Sequence, residues 1–232
     1  MDVAFTDRHG GVSAPPYDSL DLSRSRPGRD EELRANMSLL AREFGVDGFV
    51  VMRQVHGADV AVVDSLDVDL PVCDALVTDT PGVALCVGVG DCAPVVLADV
   101  DQGVVGVAHA GRPGVVAGVV PAVIDVMRSR GAQTIQAWIG PHVCGGCYEV
   151  PEPMRAGVAA LVPAAYACTT WGTPSVDIGA AVTAQLQAAG CLVSDVSRAC
   201  TRESDDFFSY RRDGGWSGRA AGIVVRRAAP HG

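Results

Sequence analysis

Residues 75–111 read ALVTDTPGVALCVGVGDCAPVVLADVDQGVVGVAHAG, and this stretch decides the fold class. ALVTD, VALCVGVG, PVVLADV and GVVGVAHAG are short Val-rich runs, each bounded by Gly, Pro or Asp, the punctuation of strand ends. No helix-length segment separates them. Four strands in succession point to an α+β sheet core rather than regular βαβ alternation. The junction between the second and third runs is unusual. A turn between buried strands is expected to use Asn-Gly or Asp-Gly, whereas here Asp91 and Cys92 stand between Gly90 and Ala93.

Outward from this core, RDEELRANMSLLAREFG (29–45) carries Leu33, Met37, Leu40 and Phe44 at helical spacing, with acidic residues in its first turn and Gly45 as the stop. FVVMRQVHG (49–57) and DVAVVD (59–64) read as two strands about a tight bend, which puts His56 at a strand end. A helical pattern runs from Gly114 to Arg130, with Pro121 either near its start or at a kink. TIQAWIGP (134–141) is a further strand, and PEPMRAGVAALV (151–162) and DIGAAVTAQLQAAG (177–190) are helices. The second of these has Asp177 as N-cap and Gly190 as stop. CLVSDV (191–196) and AAGIVVRR (220–227) are strands on either side of a polar loop, 201–219. With no composition break, residues 1–232 are expected to form one domain, a mixed sheet flanked by helices.

With 48% of residues hydrophobic and 19% charged, disorder is excluded. A net charge of −9 argues against a nucleic-acid partner, which needs a clustered excess of Lys and Arg. The N-terminus shows neither a basic leader nor an apolar segment, so a cytoplasmic location is expected. The longest uncharged stretch, 156–176, contains Pro163 and Pro174 and is a poor membrane span. Eight cysteines in such a chain are expected as thiols, most of them packed in the core.

Three metal-ligand types stand at strand ends or sharp turns: His56, Cys92 and His109. They lie 36 and 17 residues apart, too far for a local finger, but a sheet edge could gather them. Two histidines and a cysteine suit a catalytic zinc shell with a fourth position open. Packed histidines and a packed thiol are the plainer alternative. A second active alternative makes Cys92 a nucleophile with His109 or His56 as its base. Asp91 could orient either histidine, or simply end a strand. IGPHVCGGCYEV (139–150) contains a C-x-x-C pair with no second pair elsewhere, and reads as a pocket wall carrying His142, Cys144 and Cys147. Arg8, Arg53, Arg112, Arg211, Arg212 and Arg219 are candidate anion contacts. Phe207, Phe208, Tyr210 and Trp216 could stack on a base or anchor the core.

Six segments occur together in order: FTDRHGGVS (5–13), RQVHGADV (53–60), CDALVTDTPGVALCVGVGDCAPVVLAD (73–99), GVAHAG (106–111), IGPHVCGGCYEV and FFSYRRDGGWSGR (207–219). In these the chain resembles the laccase-domain, or multicopper polyphenol oxidase-like, proteins, over roughly residues 4 to 225. The resemblance implies a zinc-dependent purine nucleoside phosphorylase cleaving adenosine, inosine, guanosine or methylthioadenosine with phosphate. Adenosine deaminase activity often accompanies it in the same pocket. It implies zinc ligands at His56, Cys92 and His109, and a fold related to toxin deamidases that use Cys and His. On this reading Asp91 is the candidate for protonating the leaving base, and Arg8, Arg53, Arg112 and Arg211 contact phosphate or ribose. The expected assembly is a monomer or weak dimer.

Other roles attached to the family are peptidoglycan-precursor editing, a Cys–His hydrolase and copper-dependent phenol oxidation. Copper is disfavoured because only five histidines exist, His231 among them in the tail. A non-enzymatic, metal-stabilised partner module is the remaining alternative. The chain departs from the family pattern at Arg112-Pro113, where Trp-Arg is usual, and at His142 and Cys144.

Overall fold

The computed structural model describes residues 1–24 and 26–227, so His231 lies outside the described residues. The chain forms β1 (Asp2–Phe5), α1 (Asp30–Phe44) and β2 (Val60–Val62), then four consecutive strands: β3 (Ala75–Thr78), β4 (Ala84–Val89), β5 (Ala93–Asp99) and β6 (Val104–Ala110). Next come α2 (Arg112–Ala117), α3 (Val119–Ser129), β7 (Gln136–Ile139) and α4 (Glu152–Leu161), then a hairpin of β8 (Tyr166–Cys168) and β9 (Pro174–Val176). The remaining elements are α5 (Ile178–Ala188), β10 (Leu192–Val196), the short α6 (Tyr210–Asp213) and β11 (Ala220–Val225).

The four Val-rich strands divide between two sheets. β3, β5 and β6 lie in a six-stranded sheet of order β10-β7-β5-β6-β3-β2, antiparallel at its centre with a parallel pair at each edge. β4 instead joins the antiparallel sheet β1-β11-β4. The runs are apolar throughout because both faces of the larger sheet are covered. Val95 and Leu97 of β5 pack with Val123 and Ile124 of α3 and Val182 of α5. Val96 and Ala98 face Leu85, Val87 and Val224 of the smaller sheet. The far side of that sheet, with Cys86, Ala221 and Ile223, is closed by Leu40 of α1 together with Leu20 and Leu22. The order of layers is therefore helices, sheet, sheet, helix, a mixed α+β domain.

The expected elements form with three corrections. Residues 49–57 are not a strand: Val50 and Arg53 make isolated bridges to Leu85 and Val72, and the segment then turns away at His56, whose φ is 61°. The helical pattern of 114–130 begins earlier, at Arg112, and is cut at Gly118 (φ 86°) rather than at Pro121. Pro121 sits in the first turn of α3, where its missing N–H is no loss. β1 and the β8–β9 hairpin, with strands of three or four residues, are additions too short to show a period. α1 ends on Gly45 and α5 starts on Asp177, whose carboxylate accepts from the Ala180 N–H, as expected. Among the described residues no helix is long and apolar enough to cross a membrane.

Candidate metal centre

Pairing places the start of β5 beside the end of β6, with Pro94 opposite His109, and the start of β3 beside the same end of β6, with Ala75 opposite Ala108. One sheet edge therefore carries Cys92, His109 and Asp74 together. The carboxylate of Asp74 is fully buried and accepts four hydrogen bonds. Oδ1 takes His109 Nδ1 (2.8 Å) and the His56 N–H (2.9 Å), and Oδ2 takes the N–H groups of Gly57 (2.7 Å) and Val55 (3.1 Å). This one side chain fixes the tautomer of His109 and holds the left-handed turn that presents His56. Burial alone would raise its pKa, but His109 and the amides outweigh that and hold it below the ordinary carboxylate value.

The result is a cluster in which one ligand atom each from His56, Cys92 and His109 all lie within 4.8 Å of one another. Cys92 Sγ is 3.9 Å from His56 Nε2, and the imidazoles meet edge to face at 4.6 Å. A tetrahedral zinc with sulfur at about 2.3 Å and nitrogen at about 2.1 Å separates two such ligands by about 3.6 Å, so the set fits the ion nearly as it stands. Burial pushes the Cys92 thiol up, yet His109 and His56 beside it bring it down to about 6. Burial lowers His109, while Cys92 and Asp74 raise it to about 9. The thiolate, the ligating form, is thus favoured near neutral pH. Gly111 makes the cluster possible sterically: a Cβ there would stand 2.9 Å from the His56 ring and 3.0 Å from Cys92 Sγ.

The cluster opens into a cleft of about 710 Å³ lined in part by Arg53, Arg112, Arg211, Tyr148 and Tyr210. Among the described residues the Arg53 and Arg112 guanidinium groups have no hydrogen-bond partner, and Arg112, the first residue of α2, reaches the cleft despite the changed pair after HAG. Arg211 is committed, donating to the Glu149 carbonyl (2.7 Å) and stacking over Tyr148 (4.4 Å). Gln54 clasps Gly88 of β4 through both its amide atoms.

Other expected site residues lie elsewhere. Arg8 does not line the cleft; it donates to the carbonyls of Asp18 and Pro16 and lies over buried Phe208, so its charge is used in packing the N-terminal segment. Asp91 lines the cleft but orients neither histidine. It sits at φ 85°, and its oxygens accept from the Thr201 hydroxyl and the Arg211 N–H, both at 2.6 Å. It thereby ties the 201–211 loop to the residue next to Cys92. His142, buried against α5 and donating to the Gly140 carbonyl, faces away from the cleft, and the wall is made by Val143 and Tyr148 rather than by Cys144 or Cys147. Trp216 is exposed outside the cleft. Asp74 was not singled out from the sequence, although its place at the head of ALVTD, one residue after Cys73, marks it as a strand-end carboxylate.

A family model described as multi-copper polyphenol oxidoreductase laccase matches residues 2–227. The chain is 55% identical over 226 residues to a Streptomyces coelicolor protein named purine nucleoside phosphorylase SCO2081, covering 95% of this chain and 93% of that one. It is 37% identical over 211 residues to a protein named adenosine deaminase RL5 from an unknown prokaryotic organism, covering 81% and 79%. Among solved structures, the hypothetical protein YfiH of Bacillus licheniformis superposes with a TM-score of 0.88 at 27% identity, over 97% of this chain and 92% of that one. The fold, the edge cluster and the length of these matches together make the chain a member of the family described as multi-copper polyphenol oxidoreductase laccase.

Proposed function

We propose that this protein is a zinc-dependent purine nucleoside phosphorylase, cleaving adenosine, inosine, guanosine or methylthioadenosine with phosphate. The observation that carries the reading is the convergence of His56, Cys92 and His109 on a cleft whose wall holds Arg53 and Arg112, both without a hydrogen-bond partner among the described residues. The names of the relatives support the substrate class, and a cleft of about 710 Å³ suits a nucleoside with an anion beside it. Bound zinc would supply Lewis-acid polarisation of an oxygen and a lowered pKa for its water. The chain's own residues do the rest. Asp74 keeps His109 Nε2 directed at the centre. Arg53 and Arg112 neutralise and orient phosphate, and the faces of Tyr148 and Tyr210 receive the purine. Glycosidic cleavage passes through a sugar cation, so an oxyanion held on one face and a stabilised leaving base are what the site must provide. Asp91, with both oxygens engaged, acts as a positioning residue for Cys92 and Arg211 rather than as the acid.

Adenosine deamination by water in the same cleft is the second reading, favoured by the relative named adenosine deaminase. Copper is disfavoured: His9 and His142 lie away from the centre, and three ligands from two histidines and a cysteine leave too few imidazoles for oxygen chemistry. The test is metal analysis of the purified protein, then adenosine with and without phosphate. Ribose-1-phosphate and adenine are expected with phosphate, and inosine without it reports deamination. Cys92→Ala is expected to lose this ion and at least about 10²-fold in turnover, the scale of losing one main electrostatic stabiliser. Full turnover by metal-free Cys92→Ala would sink the reading, and a zinc-loaded protein inert toward every nucleoside would favour the partner-module alternative.

A further inference from the structure

A second donor cluster lies behind the wall of the cleft. The C-x-x-C pair Cys144 and Cys147 meets Cys200 and Glu203, the same spacing 56 residues on, and the four donor atoms all lie within 4.8 Å of one another. Two turns of the same build present them. The N–H groups of Cys147 and Tyr148 both donate to the Cys144 carbonyl (3.0 Å each), and those of Glu203 and Ser204 to the Cys200 carbonyl (3.2 and 3.0 Å). Each turn sets residues i and i+3 on one side. The Cys144 N–H donates to Cys200 Sγ (3.4 Å), and Cys147 Sγ stands 3.2 Å from Glu203 Oε1. Cys147 and Cys200 are buried and Glu203 closes the solvent side.

We propose that Cys144, Cys147, Cys200 and Glu203 hold a second zinc ion in a closed, structural site. Three thiolates and a carboxylate make a borderline-soft tetrahedral set with no position left for substrate, the form of a structural rather than a catalytic zinc. Sulfurs sharing a zinc at about 2.3 Å stand about 3.8 Å apart, within small side-chain rotations of the arrangement found. Binding displaces up to three thiol protons and involves no redox change. The ion would clamp segment 142–150 onto segment 200–203. Those segments supply Tyr148 to the cleft and the Thr201 hydroxyl to Asp91, so the second centre rigidifies the wall of the first. This inference stands apart from the proposed activity.

The experiment is zinc stoichiometry on protein purified under reducing conditions, with cobalt substitution as a second readout. Wild type is expected to hold two zinc ions per chain, and Cys92→Ala and Cys147→Ser one each. The thiolate-to-cobalt absorption of a three-sulfur site is expected to persist in Cys92→Ala and to collapse in Cys147→Ser. Because Cys147→Ser could fail to fold, Glu203→Gln, changed at the surface, is read beside it: an unchanged circular dichroism spectrum with at least about tenfold weaker retention of one zinc against a chelator. A single zinc that vanishes in Cys92→Ala would overturn the inference, as would a 144–147 disulfide, seen as a mass deficit, in freshly isolated protein.

Discussion

At the scale of the residue, Asp74 and Gly111 decide the centre. The four donors on Asp74 include two that point at the same oxygen, the His56 amide and His109 Nδ1. In Asp74→Asn the amide nitrogen replaces one acceptor and sets N–H against N–H. The expected outcome is a 10–100-fold loss of metal affinity at the His56–Cys92–His109 centre, roughly the cost of losing such an outer partner, measured by chelator competition. Gly111→Ala tests space instead of charge. Its Cβ would press on both His56 and Cys92. The metal at that centre and the turnover should fall together while the melting temperature shifts little, because the methyl group meets the ligands and not the core. A variant that keeps its metal would show that the ligands have room to move.

At the scale of the element, the break between α2 and α3 lets one short helix carry Arg112 into the cleft while the next packs on the sheet. Gly118 ends α2 in the left-handed region, its N–H bonded to the Val115 carbonyl. α3 then lays Val119, Val123, Ile124 and Met127 on the core, all buried. A single straight helix from Arg112 could not both face the cleft and bury that stripe. Gly118→Ala should cost about 1–2 kcal/mol, the strain of a left-handed L-residue, read as a lower denaturant midpoint with unchanged slope. The helical period of 114–130 showed in the sequence, but the break did not, because a glycine inside a helical pattern is tolerated about as readily as it is terminal.

At the scale of the molecule, buried carboxylates tie strands and turns to one another, and stability should depend on pH through them. Asp99 accepts from the amides of Asp101 and Gln102 in the β5–β6 turn and of Gln133 and Thr134 before β7. Burial raises its pKa, but the four amides overcome this and hold it below the ordinary 3.8. A carboxylate depressed in the folded state binds its proton more weakly there than in the unfolded chain. Its contribution is therefore full above 3.8 and is lost as pH falls through the lower folded value. Urea unfolding across the acid range should show this slope, and Asp99→Asn should flatten it; an unchanged slope would remove Asp99 from the account. The sequence by itself determined the strands of 75–111, the helices at 30–44 and 178–188 with Gly45 and Asp177 as caps, and which residue types able to ligate a metal stand at 56, 92 and 109. These rest on side-chain period and local turn chemistry, which neighbouring residues set among themselves. It did not determine that β4 leaves the sheet of its neighbours, that Arg8 packs on Phe208 instead of facing the cleft, or that Asp74 rather than Asp91 supports His109. Nor did it show that Cys200 and Glu203 complete the C-x-x-C pair. Those outcomes belong to the tertiary structure alone, because they depend on which strand ends are brought side by side, and strand order is set by burying apolar surface across the whole chain.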